Sequence, residues 1–189
     1  MLASAERHQE RFGHDDLTAR PTRQVAVLTC MDARLDLFRL LGLRIGDSHI
    51  VRNAGGRATE DALRSLILST CFLGTREIAV IHHTGCGLHR ISEEAIADVV
   101  QKVSGTRPAF EFLPFTDLLA SVSEDVARVM ACPFFPADTV VWGAIYDVAE
   151  GSLQPVGAVV PVSKPEPRDP LAPPVPATSL PSPGIRPPA

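Results

Sequence analysis

Residues 24–34 read Gln-Val-Ala-Val-Leu-Thr-Cys-Met-Asp-Ala-Arg. The apolar, β-branched run from Gln24 to Cys30 predicts a buried strand. It breaks off at a thiol, with a carboxylate at Asp32 and a guanidinium at Arg34. Three further runs repeat this form. Ser48 to Arg52 (SHIVR) predicts a second strand, ending in the turn signal Asn53-Ala54-Gly55-Gly56. Glu77 to His82 (EIAVIH) predicts a third, followed by His83-Thr84-Gly85-Cys86-Gly87. Thr139 to Val148 predicts a fourth, with a turn at Glu150-Gly151 and a return over Ser152 to Val156. Helical patterns fill the gaps. One runs from Leu35 to a stop at Gly42, with Asp36 in its first turn. A second runs from a Thr59 cap toward Gly74, and a third from a Ser92 cap to about Gly105. The last opens at Thr116, with apolar positions at Leu118, Leu119, Val122, Val126 and Val129. Strands alternating with helices predict an α/β fold: a mainly parallel central β-sheet flanked by helices, with a C-terminal edge hairpin.

The rest of the composition narrows the class. The chain has 189 residues, 45% hydrophobic and 21% charged, which suits one globular domain and excludes fibrous or wholly disordered classes. A net charge of −4 argues against a general nucleic-acid binder, which needs a basic surface. No apolar run reaches the roughly 18 residues of a membrane span. The first residues carry charges and no apolar signal core, so the four cysteines read as those of a reducing compartment, and a cytoplasmic location is expected. Of the 17 prolines, 12 lie between Pro155 and Pro188. The expected organisation is therefore a domain over 1–156, with residues 1–22 a peripheral helix or arm. A proline-rich disordered tail follows over 157–189. The tail reads as a passive segment rather than as a ligand for a proline-reading partner.

Ligands of open α/β sheets bind beyond the carboxyl ends of strands. That places Cys30 to Arg34, Asn53 to Arg57 and His83 to Gly87 at one candidate site. Cys30, His83 and Cys86 make a Cys₂His set, a catalytic zinc pattern that leaves a fourth position open. The thiolates favour zinc over hard cations. Asp32 stands two residues past a ligand and can reach the metal as a fourth. Arg34 offers a planar fork that can hold Asp32 away, freeing that position for water and a zinc-hydroxide nucleophile. Asn53 and Gly55 sit beside the site as turn residues or as donors to a bound anion.

Cys-x-Asp-x-Arg at 30–34, the block Gly46 to Gly55, and His-x-x-Cys at 83–86 together resemble the β-class carbonic anhydrases. The short-chain, mycobacterial-type branch is the nearest, over about Gln24 to Val156. The resemblance implies a zinc lyase that interconverts CO₂ and bicarbonate. It implies one Zn²⁺ per chain on Cys30, His83 and Cys86, with Asp32 as an exchangeable ligand gated by Arg34. Homodimers, or dimers of dimers, are implied too. Two alternatives keep the metal. One is a hydrolase of carbonyl sulfide or carbon disulfide on the same site. The other is a non-catalytic zinc-binding interaction module.

Simpler roles fit the remaining reactive residues. Cys71 and Cys132 read as small packing residues, and His82 as packing beside the site. His49 and His89 read as surface or loop residues, and His8 and His14 as solvent-facing. Arg52 and Arg57 are expected to pair with Asp47 or Asp61.

Overall fold

The computed structural model describes residues 1–13 and 16–157. The tail expected over 157–189 lies, apart from Gly157, outside the described residues, and so does His14. A first helix, α1 (Leu2–Gln9), buries none of its residues. Then come β1 (Val25–Cys30), α2 (Leu37–Leu41), β2 (Ser48–Asn53) and α3 (Glu60–Ile67). β3 (Glu77–His83), α4 (Glu93–Ser104), α5 (Leu118–Met130), β4 (Val140–Tyr146) and β5 (Leu153–Val156) complete the order. The strands form one five-stranded sheet in the order β2-β1-β3-β4-β5. β1 pairs in parallel with β2 and β3, β3 in parallel with β4, and β4 antiparallel with β5. This is the mainly parallel sheet with an edge hairpin that the pattern predicts.

β1 and β3 lie in the middle and are buried on both faces, which is why they read as continuous apolar runs rather than alternating ones. On one face Ala26, Leu28, Ile78 and Val80 pack against Ala62 and Leu66 of α3 and Val129 of α5. On the other, Val27, Ala79, Ile81 and Ala144 meet Leu37 of the short α2, with half-buried Ile50, Trp142 and Tyr146 around them. Helix α5 lies close on β4. A Cβ added at Gly143 would stand 2.5 Å from Val122 Cγ1, so no larger residue fits there.

Several boundaries differ from the sequence reading. The helix expected from Thr116 starts at Leu118, because the Asp117 carboxylate accepts from Ala120 N and caps it. Asp36 is likewise a cap, accepting from Arg39 N, rather than a first-turn residue. The helix expected to run toward Gly74 ends at Ile67 and widens into a π turn over Leu68–Phe72. There the Thr70 hydroxyl donates back to the Leu66 and Ile67 carbonyls and competes with the helical ladder. Cys71 sits on that turn, exposed, with its thiol donating to Phe134 O, so it is not a buried packing residue.

Candidate metal centre

Parallel pairing sets Cys30 opposite Asn53 and His83 opposite Tyr146, so the three polar loops leave the sheet at one end. The loop after β3 turns through Gly85, whose φ is +64°, and brings Cys86 close to His83. Cys30 Sγ and Cys86 Sγ are 4.0 Å apart. With a ring nitrogen of His83, their ligand atoms all lie within 4.8 Å of one another, and all three residues are buried. Around the sulfurs Leu35 and Phe115 form an apolar wall, with half-buried Leu88, Leu118, Tyr146 and Val148 behind it.

The donor chemistry fits a soft divalent cation. His83 Nδ1 lies 2.9 Å from Thr84 O, a carbonyl that can only accept, so Nδ1 carries the hydrogen. The lone pair on Nε2 then faces the sulfurs. Among the described residues that buried nitrogen has no hydrogen-bond partner. Without a metal the two sulfurs share one negative charge. The Cys86 thiol beside it, aided by His83 and the backbone N–H groups of Asp32 and Gly55, overcomes burial and lowers Cys30 to about 4. The Cys30 thiolate and burial push Cys86 far above the usual thiol range. Burial alone would lower His83, but the Cys30 sulfur outweighs it and the net shift is upward.

Asp32 stands beside this set, with Oδ2 3.8 Å from His83 Nε2. Arg34 grips it on both oxygens: Nε donates to Oδ1 at 2.9 Å and Nη2 to Oδ2 at 2.7 Å. The Arg34 backbone N–H adds a third bond to Oδ1 at 2.9 Å. Together these hold the carboxyl well below the ordinary carboxylate range. Arg34 Nη2 also donates to Gly85 O at 2.9 Å, which ties the first loop to the third. Asp32 is thus beside the three candidate ligands but held by Arg34.

Asn53 donates to Arg57 O and steadies its own turn, while its buried Oδ1 has no hydrogen-bond partner among the described residues. The Gly55 N–H faces the Cys30 sulfur. Gly56 has a φ of +73°, and a Cβ there would lie 2.9 Å from Cys30 N, so only glycine permits the close approach.

Two arginine expectations are corrected. Among the described residues Arg52 pairs with no acid: Nε donates to Cys30 O at 3.0 Å and Nη2 to Asp32 O at 2.6 Å. Its strand register carries it to the site end of the sheet, whereas Asp47 pairs with Arg23 and Asp61 with Arg64. Arg57 pairs instead with Asp125 at 3.1 Å and Glu124 at 3.6 Å, both on α5.

His82 is fully buried and packs as expected, with Nδ1 2.7 Å from Ser121 Oγ and Nε2 3.2 Å from both Gly56 O and Asp125 Oδ2. His49 is not a loop residue: it lies in β2, bonded to Ser69 and Ala19. His89 stacks on Phe115 and bonds Thr116 O, and His8 is exposed on α1. Sequence reasoning missed Ser121 and Asp125. They stand four residues apart on α5 and are buried beside the apolar positions of that helix. A carboxylate flanking such a stripe was the available signal.

Known proteins resemble the chain closely. The carbonic anhydrase family profile matches residues 25–112. Beta-carbonic anhydrase 1 of Mycobacterium tuberculosis is 38% identical over 136 residues, covering 72% of this chain and 83% of that protein. A carbon disulfide hydrolase of Saccharolobus solfataricus is 51% identical over 158 residues, covering 70% and 76%. The crystal structure of a carbonic anhydrase from Streptococcus mutans superposes with a TM-score of 0.78 at 40% identity, over 82% of this chain and 95% of that one.

Proposed function

The chain belongs to the β-carbonic anhydrase family, and on that footing we propose that it catalyses the reversible hydration of CO₂ to bicarbonate and a proton. Zinc is the metal of this family, and Cys30, His83 and Cys86 are the residues that would hold it. When bound, zinc supplies Lewis-acid activation of a water molecule. The rest belongs to the chain. Asp32, kept ionised by Arg34, is a hydrogen-bond acceptor positioned to orient a nucleophilic water beside His83. Arg34 sets where that carboxylate points and braces it against the Gly85 carbonyl. The wall of Leu35 and Phe115 excludes bulk water and suits a small linear apolar substrate. Asn53 and Gly55 complete the proposed substrate side, with Gly55 donating toward the Cys30 sulfur.

The observation that carries the reading is the Asp32–Arg34 fork beside three converging soft ligands. A purely structural metal site needs no such device, so the non-catalytic module is set aside. The test is stopped-flow CO₂ hydration by metal-assayed protein from about pH 6.5 to about 9. A rate that rises with pH at one zinc per chain is expected. No rate at any pH with zinc bound would overturn the proposal.

Carbon disulfide or carbonyl sulfide hydrolysis is the second reading, favoured by the similarity to carbon disulfide hydrolases. Both substrates are linear, so the ligand set does not choose between them. The ratio of kcat/KM values for CO₂ and carbon disulfide decides. Assembly as a homodimer or dimer of dimers belongs to the same proposal. It is supported by the sheet face that carries Trp142 and Ile50 half-buried under a five-residue helix. Light scattering on the purified chain tests it. No helix among the described residues is long and apolar enough to cross a membrane. A cytoplasmic location is part of the same proposed picture, tested by cell fractionation.

A further inference from the structure

We propose that Arg52 is a positioning residue for the metal centre: by gripping the carbonyls of Cys30 and Asp32 it fixes the peptide between them, so that backbone N–H groups stay aimed at the Cys30 sulfur. The inference rests on the metal reading above and extends it to a residue outside the ligand set.

The geometry is specific. Arg52 Nε donates to Cys30 O at 3.0 Å, and Nη2 donates to Asp32 O at 2.6 Å. The Cys30–Met31 peptide is held on its other side as well, because Met31 N donates to Asn53 O at 2.8 Å. Leu35 N adds a second donor to Asp32 O at 3.2 Å. The Met31–Asp32 peptide therefore lies between two pinned neighbours. Its N–H, that of Asp32, faces the Cys30 sulfur, as does the N–H of Gly55.

An exposed arginine on a strand end would ordinarily meet a carboxylate or solvent. Arg52 is exposed, yet among the described residues it makes no ion pair, and it engages two carbonyls one residue apart. A rigid planar fork can span two acceptors at fixed spacing, whereas a lysine ammonium meets them only as a point charge. N–H groups aimed at a thiolate draw charge from the sulfur, so the metal it holds remains a stronger Lewis acid. Groups behind metal ligands set affinity and reactivity in this way, and their loss costs about 10- to 100-fold.

The test uses full-length Arg52→Gln and Arg52→Lys proteins, with Met31→Ala as the control. Met31 lies in the same loop, and its side chain is 68% exposed. Each protein is loaded with zinc for chelator competition and with cobalt for the thiolate-to-metal charge-transfer band. Circular dichroism checks the fold. The expected result is about 10- to 100-fold weaker zinc retention and a displaced band in both arginine variants, with Met31→Ala unchanged.

Wild-type affinity and spectrum in both arginine variants would overturn the proposal. Full rescue by lysine would also overturn it, assigning the effect to charge rather than to the fork. If Arg52→Gln unfolds, Arg52→Lys decides alone: an unchanged band and affinity refute the proposal, and a displaced band with weakened retention supports it. Wild-type protein that binds neither metal would overturn the metal reading itself, and this inference with it.

Discussion

Replacing Arg34 by alanine isolates the proposed gate. Asp32 accepts three hydrogen bonds from Arg34, two from the guanidinium and one from the backbone N–H. The substitution removes both side-chain bonds and leaves the backbone one. It also removes the brace to Gly85 O. The freed carboxylate has Oδ2 only 3.8 Å from His83 Nε2, so it would be free to reach a metal held by Cys30, His83 and Cys86. The open arrangement then loses its charge-assisted support. Loss of outer partners of this kind lowers activity about 10- to 100-fold, and here both such bonds go, so the upper end is expected. Zinc content should hold at one per chain, because none of Cys30, His83 and Cys86 is altered. The melting temperature should move by no more than about 3 °C, since the Arg34 side chain is 51% exposed and such pairs add little to stability. Protonation cannot account for the loss. Arg34 holds Asp32 below the ordinary carboxylate range, and without it the group rises only toward the usual value of about 4. Asp32 is then ionised throughout the neutral and alkaline range in both proteins. Stopped-flow CO₂ hydration, with zinc measured on the same samples, is the assay. A variant that hydrates CO₂ at the wild-type rate near neutral pH, with full zinc, would refute the gate.

Loading metal into metal-free protein should release protons, because without metal Cys86 lies far above the usual thiol range and His83 is raised, while Cys30 is already a thiolate at about 4. Both raised groups compete through their protonated forms, so zinc affinity should climb as pH rises through neutrality; a pH-independent affinity with no proton release into an indicator dye would contradict this. Asp125→Ala strips a carboxylate that accepts from Ala58 N and faces Arg57 and His82, leaving buried polar groups unpartnered. A loss of about 3–5 kcal/mol is expected, read as a fall of about 10 °C in calorimetry, and a fall under about 3 °C would show the network is dispensable. Gly56→Ala forces a Cβ to 2.9 Å from Cys30 N at a φ of +73°, so soluble protein should bind zinc more weakly as well as melt earlier; zinc titration at wild-type affinity would show that the turn can shift without disturbing Cys30.

Much of this was legible in the chain itself, for identifiable reasons. β1 and β3 stand out as apolar runs because both their faces are covered. Thr59 and Ser92 each accept from the backbone three residues on, which is what cap residues do. Cys30, His83 and Cys86 were visible because thiols and imidazole are rare side chains and each ends or closely follows a strand. The π turn at Leu68–Phe72 was not visible, since Thr70 bonding back to its own helix leaves no mark on hydrophobic periodicity. Nearness in sequence points Arg52 and Arg57 toward Asp47 and Asp61, which is not where the fold takes them. Register and helix docking chose otherwise: Arg52 meets the carbonyls 20 and 22 residues earlier, and Asp125, which faces Arg57, reaches the backbone of Ala58 from 67 residues away.

The frame of the site is held largely through backbone carbonyls, which every residue possesses. Cys30 O, Asp32 O, Gly56 O, Thr84 O and Gly85 O all take part. An acceptor that every residue supplies constrains nothing at its own position. The constraint passes to the donors that reach it: Arg34, Arg52, His82 and His83. Met31 lies between two gripped residues, yet its side chain is 68% exposed. Substitution at Met31 should therefore be tolerated where substitution at Arg52, one strand away, is not. The parallel register is what makes so few donors sufficient. Once Cys30 is fixed opposite Asn53 and His83 opposite Tyr146, the sheet has already brought the three loops together. The side chains need only turn peptides, not assemble them.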